Sequence, residues 1–540
     1  MARGEAAPER PNIVLILADD LGYSDLGCFG SEIETPCLDQ LSLQGVRMTQ
    51  LYNTARCCST RASLLTGLYP HQAGVGAMSV DNRKPGYRGF LTERAVCVAN
   101  LLKETGYQTF MTGKWHLRGS GNQDCIPTKH GFDEFFGHFK AYASYYRSDL
   151  FERMPPGRRK RHYEPDEFYA TDAITDHAVE FIENAQSKKS PFFLYVAYNA
   201  PHFPLQAPRE EIRKGMATYR KGWDEIREER LRHMKDLGLV AQNTGLSGRG
   251  HVTAVPERNA DSPYYDRDIP AWEELSGERK EDLATRMATY AAMVRIMDGN
   301  IGRIVDSLEK HGCKEDTLIV FLSDNGACAE WDPFGFDDNP YPANRLYVGD
   351  DLEKMGGPRT FHSYGTGWAN ACNSPFRLYK HYNHEGGISS PTIVCWPRVL
   401  KRQGEVDRTP SHVIDLVPTF LELANAEYPR NSPHVMPLAG ESLLSVWQGV
   451  PKHGRTLFFE HEGNRAVRRG KWKLVWINYQ KRWELYDIET DRTEANDRAL
   501  DFPDLVSELE TLWLKWASEN FVELQRVKQP ATGMPKIYYW

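Results

Sequence analysis

Four apolar runs punctuate the chain, and each stops at polar residues capable of chemistry. Residues 12–17, Asn-Ile-Val-Leu-Ile-Leu, end at Asp19 and Asp20, and residues 107–112, Tyr-Gln-Thr-Phe-Met-Thr, lead into Gly113-Lys114-Trp115-His116. Residues 192–198, Phe-Phe-Leu-Tyr-Val-Ala-Tyr, lead into Asn199-Ala200-Pro201-His202, and residues 317–322, Thr-Leu-Ile-Val-Phe-Leu, into Ser323-Asp324-Asn325-Gly326. Unbroken apolar runs of this length fit strands covered on both faces, as in a parallel sheet. Helical periodicity fills the intervals over 94–105, 170–186 and 286–310, with a further strand at 391–396 and a helix at 412–424. Strand alternating with helix predicts an α/β fold, a large mixed sheet sandwiched by helices. From about residue 440 the pattern turns to short strands, 456–461 and 465–487, before a helix near 502–518. The chain therefore divides into a main domain over 1–440 and a smaller C-terminal α+β domain over 441–540 with an antiparallel sheet.

The polar residues at the strand ends share one edge, because open α/β sheets bind ligands outside the carboxyl ends of their strands. Asp19, Asp20, Asp324 and Asn325 gather hard oxygen donors there, and adjacent carboxylates are costly to bury without a cation. That donor set suits Ca2+ or Mg2+ and not zinc, which prefers His and Cys. Lys114, Lys380, His116 and His202 add cationic and proton-carrying side chains. The stretch 53–67 contributes Cys57, Cys58 and Arg61. Its Ser59 and Thr60 suit a helix start, and Gly67 suits the end. A nucleophile there would sit in the positive field of a helix N-terminus, suited to attack on an anionic ester. A metal beside a cation-rich pocket fits a tetrahedral oxyanion such as sulfate or phosphate.

Bulk properties narrow the classes. At 540 residues the chain exceeds one simple core, which makes two domains the default. A net charge of −7 argues against a nucleic-acid binder. The basic run Arg158-Arg159-Lys160-Arg161 reads as a solvated loop. No apolar stretch reaches the ~18–20 residues of a membrane helix. The first ten residues are polar and lack the apolar core of a signal peptide. A periplasmic or secreted protein with its signal outside this chain is the favoured expectation, and the cytoplasm is the alternative. Ten cysteines are scattered without the spacing of a disulfide scaffold or a zinc site, which predicts buried thiols with one or two bridges in an oxidising compartment. Two long interruptions, 205–284 and 330–373, follow edge motifs directly and are expected to wall a substrate pocket.

Taken together, the motifs resemble those of the type I sulfatases, the formylglycine-dependent branch of the alkaline phosphatase superfamily. That family's signature is Cys-x-Pro-x-Arg followed by Leu-Thr-Gly. Cys57-Cys58-Ser59-Thr60-Arg61 with Leu65-Thr66-Gly67 is similar to it, with Ser59 where Pro or Ala is commonest. The spacing to Arg61 selects Cys57, not Cys58. The segment 374–380, ending at Lys380 before Glu385-Gly386-Gly387-Ile388, also resembles the family, and the likeness runs from Pro11 to about residue 425.

The resemblance implies an alkaline-phosphatase-like sheet and a catalytic role for the region 1–440. It implies one Ca2+ bound by Asp19, Asp20, Asp324, Asn325 and the modified Cys57. Arg61 would hold the formylglycine, Lys114, His202 and Lys380 would contact the sulfate, and His116 would sit beside the formylglycine hydroxyls. The implied reaction is hydrolysis of a sulfate monoester by the aldehyde hydrate, with Asp324 assisting attack, His202 or Lys380 protonating the leaving alcohol, and His116 deprotonating the second hydroxyl. The implied substrate is an aryl sulfate or a sulfated carbohydrate cleaved at a terminal residue. The aromatic stretch 331–368 suits stacking on either ring. The implied partner is a formylglycine-generating maturation enzyme. Two alternatives stand beside this reading: a phosphate or phosphonate monoester hydrolase of the same superfamily, and a non-catalytic binder of sulfate esters or glycans.

Overall fold

The computed structural model describes residues 10–524, apart from 159–160, 165–166, 189, 253–266, 331, 338–343, 430–431, 453 and 479. The expectations for the N-terminal leader, for the middle of the basic run and for much of the polar loop after residue 236 lie outside the described residues.

The strands run in chain order as β1 Asn12–Ala18, β2 Val46–Tyr52, β3 Gln108–Lys114, β4 Glu134–His138, β5 Glu152–Met154 and β6 Phe192–Ala197. A small ribbon follows, β7 His251–Val252 with β8 Arg267–Asp268, then β9 Thr317–Ser323, β10 Ser389–Cys395, β11 Glu405–Asp407 and β12 Ser411–His412. The large sheet orders them β11-β2-β10-β9-β1-β6-β3-β4-β5, with β12 also on β2. Its centre is parallel, while β10 runs antiparallel to both β2 and β9.

The apolar runs are unbroken because both faces of the sheet are covered. On β1, Val14, Ile16 and Ala18 face the side covered by the helices Ala170–Gln186 and Gly277–Lys310. Ile13, Leu15 and Leu17 face the opposite side, covered by Cys57–Thr66, Val98–Glu104 and Leu416–Ala424. Period-2 alternation is present but invisible in sequence, since both sets are hydrophobic. Register then aligns the strand ends. Ala18 pairs with Ser323, Leu17 with Ala197, and Ala197 with Gly113. Gly113 has φ 98°, and a Cβ there would meet the Ala197 carbonyl at 1.9 Å, so only glycine fits.

Several local expectations are corrected. The interruption 205–284 opens with two helices, Arg209–Tyr219 and Trp223–Asp236. They break at Gly222, where φ is 86° and a Cβ would strike the Trp272 ring at 2.2 Å. The first packs on the Gly277–Lys310 helix and the second on Gly365–Cys372. Arg230 is fully buried against Asp25 at 2.6 Å and Glu32 at 2.8 Å. All ten cysteines are free, so the expected one or two bridges are absent.

The C-terminal strands β13 Thr456–His461, β14 Asn464–Arg469, β15 Trp472–Ile477 and β16 Arg482–Asp487 form an antiparallel four-stranded sheet. The helix Pro503–Glu519 packs on β14 and β15, and its Trp513 Nε1 donates to the Phe459 carbonyl on β13 at 3.0 Å. A second apolar group from this sheet, including Leu457, Phe459 and Val475, packs against Tyr52, Ala55 and Ile388. The small sheet thus abuts the segments flanking Cys57.

Candidate active site

Helix Cys57–Thr66 begins two residues earlier than its hydroxyls suggested. Arg56 occupies the N-cap in extended conformation, and Cys57 is the first helical residue. Ser59 instead donates to the Val75 carbonyl at 2.9 Å, and Thr60 accepts from the Thr54 amide at 3.0 Å. The helix closes as expected on Gly67 in left-handed conformation, whose amide bonds the Ser63 carbonyl. Cys57 therefore sits where the unpaired amides of the first turn concentrate positive potential.

The ten side chains named from sequence lie together, each at most 4 % exposed. Cys57 Sγ lies 3.3 Å from His116 Nδ1. Arg61, one turn further on, donates through Nε and Nη2 to Asp324 Oδ2 at 3.1 and 2.8 Å, and through Nη1 to the Lys114 carbonyl at 2.7 Å. Lys114 Nζ donates to Asp19 Oδ2, and Arg61 Nη2 stands 3.6 Å from the same oxygen. On the far side Lys380 donates to Asp20 at 2.8 Å, and Asn325 Nδ2 donates to Asp20 Oδ1 at 2.7 Å. His202 Nε2 lies 3.3 Å from Asp20 Oδ2 and 3.4 Å from Lys380 Nζ. Asp20 and His116 adopt left-handed backbone, φ 65° and 52°, conformations that non-glycine residues hold where the surroundings require them.

Burial and charge set the protonation states. His202 Nδ1 donates to the Phe203 carbonyl at 2.6 Å, which turns the Nε2 lone pair toward Lys380. Burial holds His202 down to about 3 and His116 to about 4, so both rings are neutral at pH 7. Burial also pushes the Asp19 carboxyl well above its ordinary range, with Asp324 adding to it. For Lys380 burial is the largest influence and acts downward, but the Asp20 carboxylate together with Cys328 and Cys57 outweighs it, so the ammonium is held well above its ordinary range. A hydrogen bond from Cys58 and the cations around it, opposed by burial, hold the Cys57 thiol well below its usual value.

Among the described residues, two oxygens of the implied metal ligands have no partner: Asp19 Oδ1 and Asn325 Oδ1. Each orphan costs roughly 1–3 kcal/mol. Asn325 spends its amide nitrogen on Asp20, which leaves its carbonyl oxygen as the unmatched end. Hard oxygen donors without protons to accept are what a divalent cation such as Ca2+ would take up, so the residues fit such an ion. Asp19, Asp20 and His202 also place ligand atoms within 4.8 Å of one another.

Several neighbours escaped sequence reading. Cys328 places its Sγ 4.0 Å from Lys380 Nζ, and lies four residues after Asp324 on the same loop. Tyr142, Phe203, Phe336 and Phe361 form an aromatic group beside His202, whose ring centroid is 4.1 Å from that of Phe203. Only Phe336 and Phe361 lie in a stretch singled out for its aromatics. Arg56, Glu330 and His381 form an ionic cluster next to Cys57, with Arg56 and His381 each 3.3 Å from Glu330 Oε1.

A parallel-centred sheet whose carboxyl edge joins a helix-N-terminal cysteine, three cations and an oxygen-rich cation site defines a hydrolase of anionic esters. The Sulfatase family profile matches residues 11–426, and the profile described as N-sulphoglucosamine sulphohydrolase, C-terminal, matches 376–511. An uncharacterised sulfatase of Schizosaccharomyces pombe is 34% identical over 550 residues, covering 96% of this chain and 95% of its own. An arylsulfatase of Klebsiella aerogenes is 33% identical over 455 residues, covering 82% of this chain and 93% of its own. Among solved structures, Ps i-CgsB in complex with k-i-k-neocarrahexaose superposes with a TM-score of 0.66 at 27% identity, covering 95% of this chain and 93% of that one. The chain belongs to the sulfatase family and is a sulfuric ester hydrolase.

Proposed function

We propose that this sulfatase cleaves a sulfate monoester with a formylglycine made from Cys57 and one Ca2+, Mg2+ being the second choice, held by Asp19, Asp20, Asp324, Asn325 and the modified residue 57. The observation that carries the metal is the pair of orphaned oxygens, Asp19 Oδ1 and Asn325 Oδ1. Around them three carboxylates, Asp19, Asp20 and Asp324, already match three cations, Arg61, Lys114 and Lys380. A dication therefore leaves the site net positive, ready for an anionic ester. When bound, the metal and the hydrated aldehyde supply an activated oxygen nucleophile at residue 57.

The chain's own residues do the remaining work. Arg61, fixed by Asp324 and the Lys114 carbonyl, orients residue 57. Lys114 and Lys380 bind sulfate oxygens and offset charge that develops during displacement. His116, neutral and 3.3 Å from the side chain of residue 57, accepts its proton. Lys380 holds the proton for the leaving alcohol, because His202 is neutral and turns a lone pair toward it.

The substrate proposed is an aryl sulfate or, physiologically, a sulfated carbohydrate cleaved at a terminal residue. The aromatic group beside His202 supports a ring in the leaving group, as do the arylsulfatase relative and the oligosaccharide-bound neighbour. A formylglycine-generating enzyme is the partner required for maturation. No helix among the described residues is long and apolar enough to cross a membrane. The location proposed is periplasmic or secreted, with the cytoplasm as the alternative.

The test is the mass of the peptide from Cys57 to Arg61, released by trypsin. An aldehyde in place of the thiol, localised to Cys57 by fragmentation, is the expected result in material that hydrolyses aryl sulfates. Modification at Cys58 would remove the role given to Arg61. Faster turnover of the matched aryl phosphate would transfer the enzyme to the phosphoester class.

A further inference from the structure

The structure assigns a second metal site, for a transition-metal dication such as Zn2+, to His381, His461 and Glu462. His381 follows Lys380 on its loop, His461 ends β13, and Glu462 lies in the two-residue turn to β14. His381 Nδ1 is 3.3 Å and His461 Nε2 3.9 Å from Glu462 Oε2. The three ligand atoms all lie within 4.8 Å of one another. His461 is fully buried, and neither of its ring nitrogens has a hydrogen-bond partner. An imidazole sealed from water with both nitrogens unsatisfied is costly unless something else takes up a lone pair.

Two imidazoles and one carboxylate, with room for a fourth ligand where Glu462 is 25% exposed, are the donor set of a tetrahedral zinc site. Nitrogen donors discriminate against Ca2+, which the all-oxygen edge prefers. The backbone presents the ligands at some cost, since His381 and Glu462 sit at φ 80° and 49°. His381 is pinned by its amide to the Ala55 carbonyl at 2.9 Å, and its own carbonyl accepts from Asn464 Nδ2 at 3.1 Å. Arg56 also contacts the His381 ring, and its charge is met by Glu330. An ion bound here crosslinks the β13–β14 turn to the loop carrying Lys380, beside Cys57. The assignment does not rest on the sulfatase reading.

The test titrates the full chain, saturated with Ca2+, with Co2+ and then Zn2+. One equivalent of Co2+ is expected to give the visible absorption of a nitrogen- and oxygen-ligated tetrahedral ion with no sulfur-to-metal charge-transfer band. Zn2+ should displace it and raise the melting temperature. Glu462→Gln and His461→Gln should each weaken Zn2+ binding at least ~10-fold, the minimum seen even for outer-sphere partners, and abolish the melting shift. Wild-type affinity in both variants, or a thiolate band placing the ion on cysteines, would overturn the site. Should His461→Gln fail to fold, Glu462→Gln alone decides, because its side chain lies partly in solvent.

Discussion

Asp19 and Glu385 are both fully buried carboxylates facing cations, yet their surroundings treat them oppositely. Glu385 Oε1 accepts from Lys473 at 2.9 Å, and its Oε2 accepts from Arg492 at 2.8 Å, Ser389 at 3.0 Å and Tyr52 at 3.2 Å. Burial pushes its carboxyl up, but Lys473 and Arg492 outweigh that and hold it well below the usual carboxylate range. Asp19 has one oxygen occupied by Lys114 and the other by nothing, and burial leaves its carboxyl raised. Buried charge by itself therefore does not mark a functional site. The Glu385 network ties the C-terminal sheet to the large sheet, and it is complete without a ligand. The edge around Asp19 is incomplete until one arrives.

Substitutions can break this contrast. The largest effect is expected for Cys57→Ala, whose aryl sulfate turnover should fall at least ~10^3-fold, as for loss of a nucleophile, with melting unchanged. Retention of most of the activity would remove Cys57 from the reaction. Asp19→Asn should lower turnover at least ~100-fold and also erase the melting shift that Ca2+ gives the wild type, measured with and without chelator. Glu385→Gln should do the reverse. Arg492 left without its carboxylate, and Lys473 left with Glu494 alone at 3.0 Å, would cost about 3–5 kcal/mol of stability, read by denaturant unfolding, while kcat of the folded fraction stays within a few-fold. If Glu385→Gln lost activity without stability, the distinction between the two clusters would fail.

The smallest effect concerns His412, fully buried at the start of the helical segment 413–424. Its Nδ1 accepts the Ile414 amide at 3.2 Å, so the cap requires a neutral ring, and burial holds its pKa well below 6.5. The unfolded chain binds this proton first as pH falls. Stability from this group is thus complete above pH 6.5 and declines below it, by about 1.4 kcal/mol per pH unit. His412→Asn keeps an acceptor that does not titrate. Its unfolding free energy should fall less steeply than that of the wild type between pH 6.5 and 5.5, and parallel slopes would refute the assignment.

Much of the fold was legible because the central strands are apolar on both faces, and their carboxyl ends were readable as one edge. β2 was not legible. Its Arg47, Thr49 and Gln50 interrupt the apolar pattern, and Arg47 donates through Nη1 and Nη2 to the distant Cys28 and Gly404 carbonyls. The start of the Cys57 helix was misplaced because Ser59 and Thr60 spend their hydroxyls on Val75 and Thr54 and not on capping. The His381–His461–Glu462 meeting joins residues about eighty positions apart, and no local pattern announces it.

The sequence by itself determined the central apolar strands and which chemical groups stand at their ends, since hydrophobic periodicity and motif spacing are local properties. It also carried the Cys57–Arg61 register, which one helical turn sets. Only the tertiary structure decided which buried polar groups find partners, because hydrogen-bond satisfaction depends on long-range register and on the docking of the C-terminal sheet. Glu385 and Asp19 look alike as acidic residues in recognisable motifs. Folding gives one of them every partner it needs and leaves the other with an oxygen for a ligand to take.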